Sequence, residues 1–181
     1  MPKKTDTRDR VLRTAAKLFR SQGYHATGLN QVLSEGGAPK GSLYFHFPGG
    51  KEQLAVESLQ LSGAEFCAHL KQVGSLDEVL ELLGKRLAES GFQDGCPIAT
   101  VALDAAGASE QIRAACDQAY LSWEEVITGF LTRQGVQDAE ALATTFLAAI
   151  EGALLLARTR KDLTPLRQVG EHLKLLASKE R

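Results

Sequence analysis

Three observations predict an all-α fold for this 181-residue chain. Apolar residues recur at helical spacing along most of its length. No segment alternates with the period of two that a half-buried strand requires. The five prolines all fall near expected helix ends. About nine helices result: an N-terminal three-helix head containing a helix-turn-helix, then a larger helical body.

The first helix is expected to start after Thr5–Thr7 and run to about Ser21, with Val11, Leu12, Ala15, Leu18 and Phe19 inward. Gly23 stops it. Thr27 is the expected N-cap of a second helix over about 28–35, with Leu29, Val32 and Leu33 inward. Gly36-Gly37 makes a turn, and Pro39 sits at or beside the first position of a short third helix. Leu43, Phe45 and Phe47, with Leu29, are assigned to the core of the head.

A fourth helix is expected from about Lys51 to Val73, bounded by Pro48-Gly49-Gly50 and Gly74. Ser75 and Glu78 form a capping box for a fifth, whose Leu76, Val79, Leu80, Leu83 and Leu87 make one stripe. Asp94-Gly95 reads as a turn, and Pro97 opens a sixth helix that ends near Gly107. Ser109 caps a seventh that runs to Gly135. Asp138 caps an eighth over about 139–160, and Thr164-Pro165 opens a ninth with Leu166, Val169, Leu173 and Leu176 inward. The eighth is apolar over much of its circumference, so it is buried on more than one side. It lies either at the centre of the body or against a second chain. The dimer interface is the reading favoured, with Ala149, Gly152, Ala153, Ala157, Leu166 and Leu173 as its residues.

The net charge of −1 conceals an asymmetry. Residues 1–51 carry Lys3, Lys4, Arg8, Arg10, Arg13, Lys17, Arg20, Lys40 and Lys51 against Asp6, Asp9 and Glu35, a net of +6, which leaves −7 for the rest. A basic end on an acidic body suits a DNA reader, because phosphate neutralisation supplies most of the affinity. The short third helix adds lysine, serine, tyrosine and histidine donors at one end, which bases and phosphates both need. Solvation alone would explain Lys3 and Lys4 but not that set.

Cys67, Cys96 and Cys116 have no metal spacing and suggest reduced thiols in a cytoplasmic protein. No signal peptide is visible, and the longest uncharged apolar run, 141–150, is too short to span a bilayer. His25, His46, His69 and His172 are scattered, and no nucleophile motif or phosphate loop is present, which argues against an enzyme or a cofactor.

Residues 7–54 resemble the N-terminal domain of the tetracycline-repressor (TetR) family. The matching residues are Ala15, Ala16, Leu18 and Phe19, then Gly23-Tyr24 and Thr27, then Gly36, Lys40-Gly41-Ser42-Leu43-Tyr44-Phe45-His46-Phe47, and Lys51-Glu52 with Leu54. Gly95-Cys96-Pro97-Ile98 and the Phe47-Pro48-Gly49-Gly50-Lys51 loop resemble the LmrA/YxaF-type subgroup. The resemblance implies an all-α homodimer, with a DNA-binding domain at 1–50 and an effector-binding and dimerisation domain at 51–181. It implies a repressor that leaves a double-stranded DNA operator when a small molecule binds, with no membrane partner. Lys40, Gly41 and Ser42 would lie at the groove edge. Thr27, Tyr44, His46 and Lys51 would reach phosphates. Two departures stand out: the loop before Lys51 is one residue longer than the commonest form, and Pro39 replaces a frequent capping Ser or Thr.

The effector region is expected to draw on Phe66, Cys67, His69, Phe92, Cys96, Tyr120, Trp123 and Phe146, with Cys116 and Phe130 as further candidates. Each of these is also a natural core residue. A thiol-based redox regulator on the same scaffold is the competing class. No thiol has an immediately adjacent basic residue; Arg113, one helical turn before Cys116, is the nearest Lys or Arg to any of them in sequence.

Overall fold

The computed structural model describes residues 4–179, with side chains from Asp6 onward. Nine α-helices account for the regular structure of those residues: α1 Lys4–Gln22, α2 Leu29–Glu35, α3 Ser42–His46, α4 Gly50–Leu70, α5 Leu76–Glu89, α6 Pro97–Ala105, α7 Glu110–Arg133, α8 Ala139–Arg160 and α9 Thr164–Lys179. Lys3, counted in the basic segment, lies outside the described residues. The helices group into two compact units that are discontinuous in sequence.

The first unit holds the chain up to Ala64 and returns for Pro97–Ala119. Its α1 begins earlier than expected. Thr5 and Thr7 lie inside the helix rather than before it, because Asp6 sits favourably in the first turn and pairs with Arg10 at 2.7 Å. Val11, Ala15, Leu18 and Phe19 are buried where α1 packs on α2 and α6. Gly23 ends α1 with φ 86°, its N–H bonded to the Phe19 carbonyl. Thr27 is not the N-cap; Gly28 is. The Thr27 hydroxyl instead donates to the Gly23 carbonyl at 2.7 Å and is fully buried. Gly36 is required by packing: a Cβ there would lie 2.9 Å from the Val32 carbonyl oxygen and 3.4 Å from the Val11 Cα.

Pro39 falls three residues before α3 rather than at its start. The Ser42 amide and hydroxyl both donate to the Pro39 carbonyl, at 2.9 and 2.7 Å, and close a turn over 39–42. The Gln53 side chain accepts from the Gly49 N–H at 2.8 Å, just ahead of α4. That helix stops at Leu70, short of the expected Val73. Ser109 caps α7 as expected, its oxygen accepting from the Ile112 amide at 3.2 Å.

The second unit comprises Glu65–Cys96 and Tyr120–Arg181. Ser75 and Glu78 make the expected cap, with the carboxylate reaching back to the Gly74 amide at 3.0 Å. The reversal after α5 is made by Gly91 and Phe92, both at φ 62°, and not by Asp94-Gly95. Asp138 occupies the N-cap position of α8 but makes no side-chain cap bond. The core centres on α8, whose Leu142, Ala143, Phe146, Ile150, Ala153, Leu154 and Ala157 pack with Leu131, Leu166 and Leu173. The helix α9 packs on both α8 and α5. By length and composition α8 is long enough to cross a bilayer, since its apolar character continues past Glu151. Its buried face is that of a core helix.

Candidate nucleic-acid interface and effector region

The head is built so that α3 has one anchored side and one open side. Leu43 and Phe47, one helical turn apart, are 2% and 0% exposed and fix the helix to the head. Lys40 and Gly41 are exposed, Ser42 and His46 half-exposed. Tyr44 is 65% exposed. Phe45, expected in the core, is 62% exposed. A five-residue helix shows too little periodicity to reveal which aromatic faces in, and Phe47 takes the inward place. Leu29 is only half-buried. Thr27 leaves the candidate contact set, because neither its buried hydroxyl nor its backbone reaches the surface.

Lys51 lies beside the corner between α1 and α2. Its ammonium sits 4.6 Å over the Tyr24 ring and 3.4 Å from the His25 carbonyl oxygen. Partial burial lowers its pKa, and the negative charge of Asp104 opposes that shift. The same corner is held by Asp104 on α6, which accepts from the His25 amide at 2.6 Å. Arg8 pairs with Glu57 and stacks 4.9 Å over the Phe47 ring. Arg10 donates to the Gly36 carbonyl at 3.2 Å. These two arginines brace the head. Sequence analysis counted them only toward the basic charge of the head, since their partners lie 49 and 26 residues away.

Three of the expected effector residues come together in the second unit. Trp123 is 2% exposed, and its ring meets Phe66 edge-on at 4.7 Å and Tyr120 at 5.6 Å. The adjacent Cys67 thiol donates to the Ser122 carbonyl. Phe92 and Phe146 belong instead to the α8-centred core. His69 is exposed, its ring bonded to the Glu65 carbonyl and close to Arg86. Cys96 is buried and hydrogen-bonded to Glu151, a carboxyl whose pKa is raised by burial and held back by that bond. Sequence reasoning missed Glu151, which looks like the polar side of an apolar helix. Burial pushes the Cys116 thiol up to about 11. No cluster of three His, Cys, Asp or Glu fit to hold a metal occurs among the described residues.

The residues chosen for a dimer interface need correction. Ala153, Ala157, Leu166 and Leu173 are each at most 3% exposed, inside the unit's own core. Small residues serve close packing within a chain as readily as between chains. Ala149 is half-buried and Gly152 exposed. The outward face of α8 carries Ala141, Ala148, Gly152, Leu155 and Leu156, the two leucines 56% and 45% exposed.

Residues 11–57 match the family of bacterial regulatory proteins called tetR, and residues 73–172 match the C-terminal domain of LmrA/YxaF-like transcriptional regulators. The chain belongs to the TetR family. It is 40% identical to the HTH-type transcriptional regulator YxaF of Bacillus subtilis, over 99% of this chain and all of that one. It is 38% identical to LmrA of the same organism, over 91% and 93% of the two chains. Among solved structures, Escherichia coli NemR in reduced form is 25% identical, with a TM-score of 0.79 over 93% of this chain and 96% of that one. A regulatory protein TetR from Rhodobacter sphaeroides shares the fold at TM-score 0.82 and 20% identity, over 91% and 95%. The chain is therefore a helix-turn-helix transcriptional regulator of the TetR family with an LmrA/YxaF-like C-terminal domain, and its relatives are regulators rather than enzymes.

Proposed function

We propose that this TetR-family regulator is a cytoplasmic repressor that binds a palindromic operator as a homodimer and is released by a small, largely apolar or aromatic effector. The observation that carries the DNA part is the open side of α3, with Lys40, Gly41 and Tyr44 turned to solvent over a buried Leu43 and Phe47. In this reading residues 1–50 bind DNA. Lys40, Gly41 and Ser42 meet the groove edge, and Tyr44, His46 and Lys51 meet phosphates. Residues 51–181 bind the effector and dimerise. The apolar outward face of α8 supports the second role, because a patch of that kind is costly to leave in water. The Phe66–Trp123–Tyr120 cluster supports an aromatic-lined effector region.

Release follows from a population shift. An effector that prefers dimers whose heads no longer match successive major grooves, about 34–36 Å apart, lowers operator affinity by its differential affinity for the two states. Thiol sensing at Cys116 is the weaker reading, because burial raises that thiol's pKa to about 11 and thiolate is the reactive form.

The test is a mobility shift on the DNA upstream of the chain's own gene, against a scrambled duplex and across salt. Salt-sensitive binding to the upstream duplex, lost in Tyr44→Ala, supports the proposal. Equal weak binding to both duplexes, unchanged by that substitution, counts against it.

A further inference from the structure

The exposed Phe45 is not used by the reading above, although the inference here rests on that reading. Phenylalanine carries no donor or acceptor, so it can serve neither a phosphate nor a polar base edge. Yet it stands 62% exposed on the helix that faces outward from the head, beside Tyr44. The helical advance explains the arrangement. Leu43 and Phe47 form the inward pair one turn apart; Gly41 and Phe45 form the outward pair. A Cβ at Gly41 would meet nothing within 4 Å. Residue 41 therefore places no side chain on the outward face it shares with Phe45. The His46 ring flanks Phe45 edge-on at 5.0 Å.

In a major groove one base presents an apolar group, the C5-methyl of thymine. A ring that is 62% exposed, on the same face as a glycine, can approach such a methyl closely, while Lys40, Ser42 and Tyr44 supply the polar contacts around it. We propose that Phe45 is a specificity-determining residue that reads a thymine methyl in each operator half-site. The basic charge of the head and the family's DNA-binding role point to this occupant rather than to a protein partner.

The experiment uses the full chain and a duplex selected from a random-sequence pool by the wild type. Each thymine of that duplex is replaced in turn by deoxyuridine, which deletes only the methyl group. The expected result is one thymine per half-site whose replacement weakens wild-type binding about fourfold, the worth of one buried methyl. Phe45→Ala should bind the thymine and uracil duplexes equally, and Phe45→Leu should keep part of the difference. If Phe45→Ala lowers the melting temperature, the Phe45→Leu comparison decides. Indifference of the wild type to every methyl, or the same loss in wild type and both variants, overturns the inference while leaving DNA binding intact. Failure of the wild type to select any sequence overturns the operator reading and this inference together.

Discussion

The Asp104 carboxylate accepts a hydrogen bond from the His25 amide at 2.6 Å, joining residues 79 apart in sequence. It also lies where a Cβ on Gly23 would come, 3.0 Å away, so the corner between α1 and α2 closes directly onto α6. The orientation of α2 and α3 thus depends on a residue far outside the contiguous head. Asp104→Ala should cost about 1 kcal/mol, since the bond is charge-assisted but solvent-exposed. It should also weaken operator binding with all α3 side chains unchanged. Thermal melting and DNA titration of the one variant check both.

Trp123 is the sole tryptophan, so intrinsic fluorescence reports on its cluster. Trp123→Ala should destabilise by about 3–5 kcal/mol, the usual cost of emptying an aromatic core site. Leu103→Ala, at an 83% exposed position, should change stability by less than about 0.5 kcal/mol. Denaturant unfolding of the pair makes the comparison.

Cys116 gives an alkaline signature. Its folded pKa, about 11, lies above the ordinary 9.0, with desolvation as the cause. The neutral thiol suits the fold, so its contribution is intact below about pH 9 and is lost as pH rises toward 11. Cys116→Ala should flatten the fall in melting temperature between those values. In the wild type at pH 8, a thiol reagent should modify Cys116 only after denaturant is added.

Glu151 has the same sign at lower pH. Its carboxyl is raised by burial, so its ionisation opposes folding as pH climbs through the folded pKa. Glu151→Gln should raise the melting temperature at pH 7.5 relative to wild type and lose that advantage at acid pH. An equal effect at both values would mean that packing, not charge, decides.

The features legible in the sequence are those set by a few neighbouring residues. The Ser75–Glu78 box, the Ser109 cap and the Gly23 stop all involve partners within four positions. So does the amphipathic spacing that gives the helices. The misses arise where distant chain decides. Thr27 resembles a cap but is drawn inward by the Gly23 carbonyl. Phe45 and Phe47 are alike in sequence, and only packing of the head separates them. Ala153 and Ala157 suit a second chain as well as α8's own neighbours. The grouping of α6 with the head depends on contacts such as Asp104–His25, which no local pattern encodes.

In the proposed dimer two α3 faces, one from each chain, read two half-sites at a fixed separation. The most direct measurement is binding to a selected operator and to the same duplex with five base pairs inserted between its half-sites. That insertion turns one half-site to the opposite side of the helix. Loss of most of the affinity is the predicted result, and an insertion of about ten base pairs does not restore it, because it recovers the helical phase but adds a full turn to the separation the two heads must span. Equal binding to the original and half-turn duplexes would contradict it.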